Sequence, residues 1–331
     1  MIKLGNITAW LLPVGIVIGF ILGSWAPQTA VPLGNLIDPI IFLMLGLLFF
    51  EVSFDPLRRT AHHLRFLSLA WIANFVVIPL LGWGIASLFF GQQSALYTGL
   101  LLYFLFPCTD WFLGFTRMSK GDVALGMILI PINLISQLLL FPVFLALFIG
   151  SKAGTDLGGI AGTVAQWFLI PLLCGVVLRV ILNRVLGSVR LEKVLAGAGA
   201  IIPWVIATLV LCIFARHTAT LTAHPFAFIK ILVAVFLFFM LTWMLGEVIS
   251  RKFRLEHRQH ALLSMTTAAR NAPMILGLTM ISMPDQPLIY AALIIGMLVE
   301  FPHLATLAKL LLRQAPPTSN DSNPFRTVTH N

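Results

Sequence analysis

Runs of eighteen or more apolar residues, nearly free of charge, follow one another along this chain, and "ITAWLLPVGIVIGFILGSWAP" is the first. Such a run crosses the hydrocarbon core of a bilayer as a helix. In lipid a helix satisfies every backbone polar group within its own segment. Charged residues make up 10% of the 331, against about 25% in soluble domains, too few to cover a water-soluble core of this size. The expected fold class is an all-α polytopic membrane protein. The N-terminal run also has the make-up of a signal peptide. A proline follows its one small-residue cleavage point, however, so it reads as the first span.

Ten spans follow from the hydropathy pattern, near 8–24, 34–52, 66–90, 95–117, 121–149, 157–182, 195–215, 226–249, 258–282 and 286–312. The net charge of +9 does not form a nucleic-acid-binding patch, because the basic residues fall in short clusters between apolar blocks. The second, fourth, sixth and eighth connections carry Arg58, Arg59 and Arg65; Arg117 and Lys120; Arg179, Arg184, Arg190 and Lys193; and Arg251, Lys252, Arg254 and Arg258. The odd connections hold only Lys152, Arg216 and Lys230. Ten spans with both termini in the cytoplasm satisfy the positive-inside rule, and nine would break it. The localisation expected is the plasma (inner) membrane. One transmembrane domain covers 1–313, and the Pro/Ser/Asn-rich segment 314–331 reads as a disordered cytoplasmic tail.

An internal repeat sharpens this outline. At an offset of 163 residues, "FLGFTRMSKGDVALGMILIPINLISQ" meets "ILGLTMISMPDQPLIYAALIIGMLVE" without a gap. Gly114/Gly277, Thr116/Thr279, Ser119/Ser282 and Asp122/Asp285 are identical, besides matched apolar residues. An odd number of spans separates the copies, so the second half enters the membrane upside-down. The expectation is two inverted five-helix repeats, 1–150 and 155–313. In such transporters the substrate site forms near the bilayer midplane, where broken helices of the halves meet.

Spans four and nine carry the helix-breaking prolines, Pro107 and Pro273, and backbone freed there must face protein or a water-filled cavity. The offset sets Pro107 against Arg270 and Cys108 against Asn271. Crossing broken helices thus bring Cys108, Thr109, Asp110, Arg270 and Asn271 toward one centre. The following helices add Asn133, Gln137 and Glu300, of which Gln137 and Glu300 are related by the same offset. Intramembrane charges are costly and mark functional sites, which singles out Asp110, Arg270 and Glu300. An Asp110–Arg270 ion pair that merely locks the crossing is the bland alternative. His303, one turn beyond Glu300, reads as its partner or as a surface-facing histidine. Asp38, Glu51 and Glu247 lie near span ends, where snorkelling explains them. Asn74 and Gln166 read as interhelical hydrogen-bond glue.

Cys108, Cys174 and Cys212 lie in apolar runs with no paired spacing, which points to neither a disulfide framework nor a zinc site. Nucleotide-binding, HExxH, CxxC and nucleophile-elbow motifs are missing. The chain therefore reads as a non-enzyme without a cofactor, a secondary-active transporter powered by an ion gradient or an attached partner.

Two stretches, "PCTDWFLGFTRMSKGDVALGMILIPIN" and "LGLLFFEVSFDPLRR", resemble the bile acid:sodium symporter superfamily, most closely its arsenite-permease branch, and the similarity extends over essentially all ten spans. That branch shows Pro-Cys-Thr at the fourth-span break, Gly-Asp after it, an Asn in span five and a Glu shortly before Pro in span ten. Pro107, Cys108, Thr109, Gly121, Asp122, Asn133, Glu300 and Pro302 match. The resemblance implies a panel and a core domain with crossing helices. It further implies efflux of trivalent arsenic or antimony, with the Cys108 thiolate touching the metalloid and Glu300 handling protons. Two positions depart from the pattern. Met274 stands where the arsenite branch carries an acidic residue, and Thr266 and Arg270 stand where bile acid:sodium symporters hold sodium with Glu and Gln. The expected coupling ion is accordingly the proton rather than sodium. The alternatives are an organic-anion transporter of the same fold, in which Arg270 binds a carboxylate, and a non-transporting membrane receptor.

Overall fold

The computed structural model describes residues 2–92, 94–109, 111–149, 162 and 168–316. Asp110, Lys152 and Gln166 lie outside the described residues, as does the tail beyond 316. The described chain is all-helical. In chain order the helices are α1 (Ile2–Trp25), α2 (Pro27–Gly34), α3 (Ile37–Glu51), α4 (Leu64–Ile72), α5 (Ile78–Phe89), α6 (Ala95–Leu105) and α7 (Phe112–Met118). They continue with α8 (Val123–Phe144), α9 (Ile170–Leu186), α10 (Ser188–Thr222), α11 (Pro225–Phe253), α12 (His257–Ala268), α13 (Ala272–Ser282) and α14 (Pro287–Gln314). Among the described residues, six helices are long and apolar enough to cross a membrane, three of them α10, α11 and α14. Trp10, Leu88, Val185 and Phe226 are each at least 73% exposed, as expected of side chains that face lipid. The protein is a polytopic membrane protein.

The helices sort by packing. Helices α1, α2, α3 and α9 lie against α10, whereas α6, α7, α12 and α13 lie against α14. The α1–α10 contact is close because glycines line it. A Cβ on Gly15 or Gly19 would meet the backbone oxygens of Ala207 or Leu211 at 2.8 or 2.6 Å. Small residues spaced by four are what allow helix backbones to approach in a membrane. Arg179 of α9 donates to the carbonyls of Phe50 and Glu51 at 3.3 and 2.7 Å. It thereby caps the α3 C-terminus with a positive charge.

Several boundaries differ from the sequence expectation, among them the end of α10 at Thr222 rather than 215. The sixth connection, read as a basic loop, is largely helical. Gly187 adopts a left-handed φ of 76°, which turns the chain in one residue, so Arg184 and Arg190 sit exposed on α9 and α10. Gln314, placed at the start of the tail, belongs to α14.

Candidate functional site

The helix ladder breaks between α6 and α7 and again between α12 and α13. Phe106 is extended (φ −118°, ψ 122°), the conformation favoured before a proline. Pro273 sits two residues into α13 rather than at the gap itself. A first-turn proline costs nothing there, because its missing N–H is an orphan in any case. The two gaps cross antiparallel, with Pro107 bridged to Arg270. The Cys108 amide donates to the Ala269 carbonyl and the Asn271 amide to the Phe106 carbonyl, each at 3.0 Å. Backbone groups orphaned by the two breaks therefore satisfy one another.

Arg270 is fully buried. Its Nη1 donates to the Phe104 carbonyl at 3.0 Å. Its Nη2 donates to the carbonyls of Thr267 at 2.7 Å and Thr266 at 3.0 Å, and to Asn74 Oδ1 at 3.4 Å. Phe104, Thr266 and Thr267 occupy the last turns of α6 and α12, so the guanidinium bridges the negative ends of two half-helix dipoles. The guanidinium carbon also lies 5.7 Å from the Phe238 ring centroid. Glu300 approaches from α14 and accepts the Arg270 backbone N–H at 3.0 Å and the Tyr103 hydroxyl at 3.2 Å. The anion expected for the guanidinium thus engages its main chain, while carbonyl oxygens take the side chain.

A second polar group lies on the other side of the bridge. Asn271 Nδ2 donates to Thr109 Oγ1 at 3.0 Å, Gln137 Oε1 at 3.3 Å and Met274 Sδ at 3.7 Å. Thr266 Oγ1 accepts from Asn74 at 3.1 Å and from Asn133 at 3.4 Å. Asn133 Oδ1, Gln137 Nε2 and Arg270 Nε are buried without a hydrogen-bond partner among the described residues. Cys108 is wholly buried in an apolar cluster with Phe66, Phe112, Leu129 and Ala268. It adjoins the crossing without lining an open cavity. A cavity of about 490 Å³ lies elsewhere, beside Asp55, His63, Asp122 and Arg258.

The structure thus gathers Cys108, Thr109, Asn133, Gln137, Arg270, Asn271 and Glu300 around one crossing; Asp110 lies outside the described residues. Asn74 makes the interhelical bonds expected of it, from a π-helical stretch, Ala73–Val77, a distortion frequent at functional sites. Sequence reasoning missed Tyr103. The available signal was a phenol in the apolar run "LLLYFLF", whose hydroxyl must find a buried partner. His303 is neither bonded to Glu300 through Nε2 nor surface-facing. Its ring stacks on Phe239.

The chain is similar to known proteins across this region. It is 24% identical over 303 residues to "Arsenical-resistance protein Acr3" of Corynebacterium glutamicum, covering 87% of this chain and 81% of that one. It is 27% identical over 178 residues to "Probable sodium/metabolite cotransporter BASS2, chloroplastic" of Oryza sativa subsp. japonica, covering 53% of this chain and 42% of the rice protein. It is 31% identical over 150 residues to the rice BASS3 protein of the same description, covering 45% and 34%. Residues 38–222, more than half of the chain, match the model of the Sodium Bile acid symporter family, and the protein belongs to that family of membrane transporters.

Proposed function

We propose that the protein is a secondary-active exporter of trivalent arsenic or antimony, coupled to protons and independent of sodium. The observation that carries this reading is the position of Arg270, whose guanidinium is held by carbonyls at the C-terminal ends of α6 and α12. In transporters built from broken helices, such ends coordinate the coupling cation. A guanidinium fixed there supplies the positive charge permanently, because it does not deprotonate. Glu300, bonded to the same backbone, is then the group that exchanges protons. Cys108 supplies the soft sulfur that a trivalent metalloid prefers, and the name of the corynebacterial relative supports that substrate class. Thr109, Asn133, Gln137 and Asn271 complete the site, and the sequence adds Asp110 as a candidate. The organic-anion reading is disfavoured, because the Arg270 side chain is turned to carbonyls instead of to an open site.

In this reading ten spans form two inverted repeats, 1–150 and 155–313, in the inner membrane, with both termini and the tail 314–331 cytoplasmic. The 108→269 and 271→106 backbone hydrogen bonds exchange under the 163-residue offset, which supports a two-fold relation through the crossing. Grouping α1, α2, α3, α9 and α10 as a panel, and the rest as a core, accords with their packing. The test is counterflow in everted vesicles with arsenite against a panel of organic acids, in sodium and in choline buffer. Arsenite exchange at equal rates in both buffers is expected. A requirement for sodium, or exchange of an organic acid alone, overturns the reading.

A further inference from the structure

The seam between α11, α12 and α14 holds polar groups that the crossing leaves unexplained. Helical spacing gathers them into facing stripes. Phe239, Trp243, Gly246, Glu247 and Ser250 fall on one face of α11, His260 and Ser264 on one face of α12, and Glu300, His303 and Gln314 along one stripe of α14. Three contacts fix these faces against each other. The His303 ring stacks on Phe239, with centroids 4.1 Å apart and planes at 10°. A Cβ on Gly246 would lie 2.6 Å from Ser264 Oγ, so the glycine is what admits the serine. At the far end, Glu247 Oε1 accepts from Gln314 Nε2 at 3.1 Å and lies 3.5 Å from His260 Nε2.

Within this seam Ser250 Oγ, Ser264 Oγ, Trp243 Nε1 and His303 Nε2 are buried with no hydrogen-bond partner among the described residues. Thr279 and Ser282 of α13 are unpartnered in the same way, but many helical hydroxyls are not. Thr116, Thr218, Thr242 and Thr267 each donate to a carbonyl three or four residues back in their own helix. That local bond is open to any helical serine, and Ser250 and Ser264 do not use it. An unsatisfied buried polar atom costs about 1–3 kcal/mol. Trp243 Nε1, Ser264 Oγ and His303 Nε2 fall between the levels of Glu247 and Glu300, with Ser250 one turn beyond Glu247, and the ligand small enough to reach each is water.

We propose that this seam is a proton path, a file of water molecules that links Glu247 and His260 to Glu300 and carries the coupling proton. The proposal rests on the reading of Glu300 as the coupling carboxylate. Serine hydroxyls and imidazole both donate and accept, so a proton taken up on one side is released on the other. The Trp243 indole only donates and positions a water. Glu300 and His303 are one helical turn apart, about 5–6 Å, a gap that a single water spans. From Glu300 to Gln314 the helix rises about 21 Å, and polar groups of the facing helices lie along that span. Tyr103 and Arg270 face Glu300 at one end. At the other, Arg251 pairs with Glu247, and His257 contacts the Ser119 carbonyl. Arg251 and Gln314 are exposed there, which opens the file to water.

The test uses the full chain in proteoliposomes sorted so that the end of α14 faces outward. The outer buffer is acidified, and the carbonyl stretch of protonated Glu300, assigned by its loss in Glu300→Gln, is followed by time-resolved infrared spectroscopy. His303→Phe keeps the stack on Phe239, and Ser264→Ala removes one hydroxyl. Each is expected to slow the rise of the band about tenfold or more without moving its titration midpoint. Trp243→Phe, which loses only the indole donor, slows it less and serves if either of the others fails to fold. Wild-type rates in the folded variants overturn the path. A wild-type band that does not titrate overturns the role of Glu300 itself, a distinct outcome that removes the proposal's premise.

Discussion

The two helix breaks meet at one bridge and are built for different tasks. At the first the chain leaves the helix from Phe106 to Trp111, with Pro107 inside the gap. At the second it does so only from Ala269 to Asn271, with Pro273 already in the next helix. The longer gap offers small uncharged side chains, Cys108 and Thr109, whereas the shorter offers Arg270. That arginine bonds carbonyls at the ends of both α6 and α12. On the Asn271 side, by contrast, Gln137 Nε2 keeps a donor without a partner among the described residues. Charge compensation and recognition are thus divided between two faces of one crossing. The first is rigid because both terminal nitrogens of its guanidinium are held by backbone carbonyls, and the second is adaptable because its amides are only partly bonded.

Arg270→Gln attacks the rigid face and carries the largest expected effect. It removes a buried charge and leaves the carbonyls of Phe104, Thr266 and Thr267 facing one another without a cation. Breaking such an arrangement costs about 3–5 kcal/mol, enough to lower the thermal midpoint of the protein in detergent. Arsenite counterflow in choline is expected to fall by about two orders of magnitude, with partial recovery when sodium replaces choline. Arg270→Lys should recover only part of the activity, since an ammonium lacks the planar fork that reaches both helix ends. Unaltered counterflow in choline for Arg270→Gln would reduce the residue to a structural lock and erase the division.

Cys108→Ala probes the other break, with a smaller effect expected on stability and a clear one on substrate. The thiol is buried among apolar side chains, so loss of one sulfur costs about 1 kcal/mol of packing. Counterflow of arsenite should fall about tenfold or more. Maleimide should label wild-type Cys108 slowly, because the thiol is sealed in this conformation, and arsenite should slow labelling further. Full transport by the alanine variant rules out sulfur coordination.

How far the sequence could be read depended on the kind of signal. Apolar run length located the long apolar helices, because hydrophobicity is a sum over many side chains, but not their ends: the expected 195–215 is Ser188–Thr222. The 163-residue offset set Pro107 against Arg270, the pair that the structure bridges. The partners of the guanidinium were not legible. They are backbone carbonyls, and which carbonyls a helix leaves orphaned depends on where it stops. The α12 end at Ala268 could not be placed from Pro273, since a first-turn proline permits a break anywhere just before it. Tyr103 escaped for a related reason: its partner Glu300 comes 197 residues later, and nothing local announces such a bond. The sixth connection misled because its charges suggested a loop, although Gly187 alone makes the turn.

Asn74 and Asn133 give the finest version of the comparison and the smallest expected effect. Both donate to Thr266 Oγ1, Asn74 at 3.1 Å and Asn133 at 3.4 Å. Only Asn74 also accepts from Arg270, which ties it to the rigid face. Asn133 Oδ1 is buried without a partner among the described residues and belongs with the adaptable side. Asn74→Leu removes a buried bond to the guanidinium and the shorter of two bonds to the Thr266 hydroxyl, so the thermal midpoint should fall by an amount equivalent to about 1–3 kcal/mol. Asn133→Leu gives up one long hydrogen bond and an unsatisfied acceptor together, so its midpoint should stay within about 0.5 kcal/mol of wild type. Its KM for arsenite should nevertheless rise about threefold to tenfold, because the vacated acceptor is one the substrate would have used. Thermal melts and counterflow on the same two preparations separate the outcomes. If both variants lose equal stability and neither changes KM, Asn133 is part of the lock, and recognition must be sought on the Thr109–Asn271–Gln137 side alone.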